Sequence, residues 1–261
     1  YTRGSLALLN AVRDRLRTRT NNQFYMISEV TSENYISSLD MMYHDVSLAA
    51  ALSFDNAFIV PLWESIYHPY IISTSFQGFI HPLYFASAYI SPGTIPFIPN
   101  RFVPPIPATQ PFYDFAKQYA RARVGYAKKY FVYGERLRDP DFTARLIDRR
   151  DRRQIPILPV IYTSYAPNVP IILPSVWKAS DGSLAFVAAS WAFSGTPTER
   201  ITLRVNFADY GLTRGAQYTL SELSESGRQV IATYNDNFIL DVNVPPLSMK
   251  VFTLEQVTTP V

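Results

Sequence analysis

The feature that most limits how this chain can fold is a change of hydrophobic period near residue 155. Ahead of it, helix-like and strand-like stretches alternate; behind it, only strand-like stretches remain. "SLALLNAVRDRLRTR" sets Leu6, Leu9, Val12 and Leu16 against arginines with the spacing of an amphipathic helix. "QFYMIS" reads as a short buried strand, "SSLDMMYHDVSLAAAL" as a helix capped by Ser37 or Ser38, and "NAFIVPLW" as a second strand, apolar on both faces. This order predicts right-handed βαβ units and a parallel sheet. Beyond a Pro-rich region at 91–111, Phe112, Phe115, Tyr119, Ala122 and Tyr126 repeat at helical spacing, so that helix is expected to pack against something large.

The second half reads differently. "SVWKASDGSLAFVAAS" is two strand-like runs joined across Asp181-Gly182, a tight-turn pair. "RITLRVNF" alternates Ile201, Leu203, Val205 and Phe207 with polar partners. "QYTLSEL", "RQVIATY", "NFILDVNV" and "LSMKVFTLE" follow, with turns between, as in an antiparallel β-sandwich. The expected fold class is therefore α/β plus all-β: residues 1–150 as the C-terminal portion of a (β/α)8 TIM-like barrel, and 151–261 as an accessory sandwich. A closed barrel takes eight strands and about 250 residues, and the first 150 residues supply only part of that. The chain also opens on Tyr1 without an initiator Met. The expectation is a piece whose earlier barrel strands come from an upstream segment or a second chain.

Composition narrows the chemistry. In 261 residues, 48% are hydrophobic and 17% charged, which suits a packed core and not a disordered chain. Aromatics reach 15%, above what a core needs, so rings are expected to line grooves as well. The net charge is only +3, and the arginines of 144–154 are interrupted by Asp148 and Asp151. That stretch reads as a solvated linker, and no nucleic-acid partner is expected. Without cysteine there is neither a disulfide frame nor a thiolate zinc site. No apolar run approaches the roughly 20 residues of a membrane span. The compartment stays open, with a secreted or periplasmic setting preferred to a cytoplasmic one.

Ligand sites of parallel α/β sheets lie at the carboxyl ends of strands. Two strand-like runs end on an acid: Glu29 after "FYMIS" and Glu64 after "FIVPLW". Paired strand-end carboxylates are what glycosidic cleavage needs, one to protonate the leaving oxygen and one to attack the sugar carbon or activate water. The plain alternative is that each acid caps a turn or pairs with an arginine. Glu33, in the following loop, could bind a sugar hydroxyl or orient Glu29. Asp40 falls in the first turn of the expected helix, where the dipole favours an acid anyway. Trp63, Tyr67 and His68 gather past the second strand, where rings can stack on a pyranose face or fill the core. The three histidines, His44, His68 and His81, lack metal-ligand spacing, and no phosphate loop or nucleophile elbow appears, so no metal or cofactor is expected.

The segments "MISEVTSENYISSLD", "FIVPLWESIYHPYI", "FASAYISPGTIPF" and "FYDFAKQYARARVGYAKKYFVYGERLRDPDF", in this order, resemble uncharacterised bacterial glycoside-hydrolase-like proteins with a domain of unknown function, read as a β/α barrel with a C-terminal sandwich. "LPSVWKASDGSLAFVAAS", "FADYGL" and "VPPLSMKVFTLE" resemble their sandwich. The resemblance covers nearly the whole chain as the later part of such a protein. It implies a sugar-cleaving site holding Ser28, Glu29, Glu33, Tyr35, Ile36 and Asp40, with Val60, Pro61, Leu62, Tyr67 and His68 nearby. Val30 stands where the family has a glycine, and Glu64 where an acid is not regular. The partner carboxylate is therefore expected on an earlier strand. The alternatives are a non-catalytic carbohydrate-binding protein, a structural or assembly subunit, and a metal-dependent hydrolase.

Overall fold

A computed structural model describes residues 2–21, 26–28, 38–39, 41–44, 72–75, 110–147, 169–192 and 195–257. It opens with helix α1 (Thr2–Arg19). Leu6, Leu9 and Leu16 lie half-buried along one face, as the spacing requires. Val12 departs from the expected stripe and is exposed, while Arg13 and Arg17 share the half-buried face with the leucines.

Three short strands follow: β1 (Ile27–Ser28), β2 (Met41–His44) and β3 (Ile72–Ser75). They form one sheet in chain order, β1-β2-β3, and both pairings are parallel. β1 falls within the expected "QFYMIS" strand. The helix read across "SSLDMMYHDVSLAAAL" is corrected: Met41–His44 runs as the middle strand of this sheet. Four residues are too few for period to separate strand from helix, and pairing on both sides decides the matter. The strand expected in "NAFIVPLW" lies outside the described residues.

From residue 110 the structure is continuous through three layers, apart from 148–168 and 193–194, which lie outside the described residues. Helices α2 (Gln110–Val124) and α3 (Lys128–Phe131) form the first layer. The middle layer is a six-stranded sheet in the order β12-β11-β14-β9-β8-β4. Its strands are β4 (Glu135–Leu137), β8 (Ile172–Lys178), β9 (Leu184–Ser190), β11 (Tyr218–Ser224), β12 (Gly227–Tyr234) and β14 (Ser248–Gln256). The third layer is a three-stranded sheet, β13-β10-β5, built from β5 (Asp141–Ala144), β10 (Glu199–Val205) and β13 (Phe238–Val244). A small ladder, β6 (Leu146–Ile147) with β7 (Val169–Pro170), completes the set. All pairings within these sheets are antiparallel.

The packing explains an anomaly of sequence. A sheet with one solvated face alternates buried and exposed residues, as β13 does; in β9 every residue is buried. Period two separates its two faces. Phe186 looks toward the three-stranded sheet and meets Phe238 and Tyr210 edge-on, at 6.4 and 5.7 Å between ring centres. Ala185 looks the other way and is paired with Trp177, whose ring meets Phe131 of α3 at 5.5 Å. Small residues at Ala185 and Ala189 leave room for the helices to close on that face. Phe115, Tyr119 and Ala122 of α2 are buried there in the core that includes Trp177.

The large body expected beneath that helix is thus the sandwich. Ile201, Leu203, Val205 and Phe207 are all buried, as their alternation requires, with Phe207 just past the strand in a short 3-10 turn. Pairing with the sandwich begins at Glu135, where β4 joins β8 and, a few residues on, β5 joins β10. Those strands lie ahead of residue 150.

Candidate functional site

The frame for a ligand site is the carboxyl edge of the parallel sheet. The register aligns Ser28 with Met42 and Met42 with Ser73, while His44 pairs with Ser75 two residues farther on. At about 3.3 Å per residue, β2 and β3 therefore run some 7 Å beyond the last residue of β1. The next residue in the chain after Ser28 is Glu29. Glu29, Glu33, Asp40, Trp63, Glu64, Tyr67 and His68 all lie outside the described residues. The structure neither brings them together nor separates them.

One position at this edge was missed in the sequence. His44 holds the final register position of the middle strand. Reading 37–52 as a helix hid it. The available signal was the run Met-Met-Tyr-His, with a β-favouring tyrosine and an acid immediately after it.

The polar cluster that the structure describes in full lies elsewhere, between α3 and the six-stranded sheet. Lys129 Nζ donates to Asp181 at 3.0 Å and to Glu255 at 3.3 Å, and Glu255 also pairs with Arg228 at 2.5 Å. Tyr130 Oη and Ser183 Oγ share a hydrogen bond of 3.0 Å. The hydrogen bond from Ser183, with help from Lys129, draws the Asp181 carboxyl down to about 2. Burial works against the charge on Lys129, but its bonds to Asp181 and Tyr130 outweigh it and raise the ammonium. Opposite charges meet in pairs here, which ties a helix to a sheet. Among the described residues no group of three or more His, Asp or Glu side chains could hold a metal ion. No described helix is long and apolar enough to cross a membrane.

No protein-family model matches the chain, and no curated protein does. Solved structures do. The α-galactosidase of Saccharomyces cerevisiae, solved with raffinose, is similar over 98% of this chain and 69% of its own, with a TM-score of 0.53 and 9% identity. The α-galactosidase I of Mortierella vinacea is similar over 97% of this chain and 63% of its own, with a TM-score of 0.49 and 6% identity. A GH30 endoxylanase from Clostridium papyrosolvens follows at 0.42 and 10% identity, over 95% of this chain and 60% of its own. The chain thus spans about two thirds of the length of the galactosidases. At these identities the likeness is one of fold, and the class it defines is a glycoside-hydrolase-like fold with a β-sandwich part.

Proposed function

We propose that this chain is the later part of a glycoside hydrolase, its parallel strands closing a (β/α)8 barrel whose earlier strands come from an upstream segment or a second chain. The observation that carries the reading is the strictly sequential parallel order β1-β2-β3, with Glu29 the residue after Ser28 at the carboxyl end of β1. Sequential parallel strands are how a barrel winds, and barrel enzymes place their chemistry at this edge. The fold likeness to the yeast galactosidase over nearly the whole chain supports the same architecture.

In this reading Glu29 is the general acid/base or the nucleophile. Its partner is Glu64 or a carboxylate on an earlier strand. Glu33, Asp40, Trp63, Tyr67 and His68 shape the sugar subsite, rings against pyranose faces and acids on hydroxyls. The substrate is a glycan or glycoside, and no cofactor takes part.

The test is hydrolysis of a panel of aryl glycosides by the protein with its remaining barrel strands, native and Glu29→Gln. Removing a carboxylate of this kind is expected to lower turnover by at least about 100-fold with the fold intact. Unchanged turnover in the variant sinks the assignment. Glycan binding without turnover in the native protein would make it a carbohydrate-binding relative that kept the fold.

A further inference from the structure

The hairpin between β8 and β9 holds a dipeptide with a chemistry of its own. Ala179 N donates to Ser183 O and Gly182 N to Ala179 O, both at 2.9 Å, and Gly182 takes φ of 81°. This is a three-residue loop with its glycine in the left-handed region. Asp181 precedes that glycine. In an Asp-Gly pair the glycine backbone nitrogen can attack the aspartyl Cγ. The N–Cγ bond forms, the Cγ–OH bond breaks, and water leaves a five-membered succinimide. Water then opens the ring at either carbonyl and returns aspartate or isoaspartate. The attack needs a neutral carboxyl, a side chain free to turn, and an amide nitrogen not already engaged.

Each requirement meets an obstacle here. Asp181 Oδ1 accepts from Ser183 N at 3.0 Å and from Ser183 Oγ at 2.5 Å. Its Oδ2 accepts from Lys129 Nζ at 3.0 Å. The Gly182 N–H is spent on Ala179. Ser183 Oγ is steadied in turn by Tyr130 Oη, whose residue is fully buried. We propose that Asp181-Gly182 is a latent isoaspartate site that Lys129 of α3 and Ser183 of the hairpin hold unreactive. Water still reaches it, because the Asp181 side chain is 55% exposed. The lowered pKa of Asp181 adds to the restraint by cutting further the neutral fraction of its carboxyl near pH 7. The same exposure makes the Lys129–Asp181 pair a weak contributor to stability. Its loss should therefore change the chemistry of the loop far more than the melting of the fold.

The experiment ages the full chain at neutral pH and measures isoaspartate at residue 181 by peptide mapping and methyltransferase labelling. The folded native chain is expected to react at least about tenfold more slowly than the same chain in denaturant, and Lys129→Met to react faster than the folded native chain because it loses the Nζ bond to Asp181 Oδ2. Ser183→Ala is expected to act in the same direction. Glu255→Gln removes the other acid on Lys129 but leaves the Asp181 contacts, and should leave the rate unchanged. Equal rates in the folded and denatured native chain overturn the proposal. So does an unchanged rate in both Lys129→Met and Ser183→Ala, or an equal rise in Glu255→Gln, which would mean general loosening.

Discussion

At the scale of single residues, Thr253 sits where a hydroxyl has little reason to be. It is buried in β14, with Ala185 opposite it on one side and Ser221 on the other, and its Oγ1 has no protein partner. A buried hydroxyl without a hydrogen bond costs free energy that a methyl group of the same shape does not. Thr253→Val is therefore expected to raise stability by about 1 kcal/mol, read from the midpoint of denaturant unfolding. Asp181 offers a second test. Its carboxyl titrates near 2 in the fold against an ordinary 3.8. A depressed carboxylate stabilises above its unfolded value and loses that contribution as the pH falls through the folded one. The melting temperatures of the native chain and Asp181→Asn should therefore converge between about pH 4 and pH 2. The effect is small because both side chains of the pair are substantially exposed.

At the scale of elements, the joint between α3 and β4 turns on Gly134. A Cβ there would lie 2.4 Å from Tyr130 O and 3.0 Å from Lys178 O, both backbone atoms that cannot swing aside. Gly134→Ala is expected to cost about 1–3 kcal/mol by overpacking, seen as a lower unfolding midpoint with an unchanged slope. The sandwich strands were legible in sequence because β10 and β13 alternate cleanly and Asp181-Gly182 marks a turn. Strands β4 and β5 escaped notice. "ERL" and "DFTA" are short, charged edge segments whose partners, β8 and β10, stand dozens of residues away. β2 escaped because a four-residue strand between helix-like neighbours has no period of its own. Of the candidate site, the sequence marks Glu29 by its place after a strand. In the proposed reading the partner carboxylate would be set by strand pairing across a barrel, which no local pattern encodes.

At the scale of the whole molecule, one core joins α2, α3 and both sandwich sheets. The helices cover a sheet face that would otherwise expose Trp177 and its neighbours. Residues 110–257 made alone are therefore expected to unfold in a single cooperative transition, coincident by far-UV and near-UV circular dichroism. A piece begun at residue 151 lacks the helices and β4–β5, and should show exposed apolar surface by dye binding. Neither piece contains Glu29, so on the proposed reading neither should hydrolyse a glycoside.

The place of β14 has a consequence for how the chain is made. It comes after every other described strand, yet it lies inside the six-stranded sheet, with β12 and β11 on one side and β9, β8 and β4 on the other. Until residues 248–256 have left the ribosome, no strand hydrogen-bonds β11 to β9. The six-stranded sheet therefore cannot close from its amino end as it emerges. It must wait for its keystone to be translated.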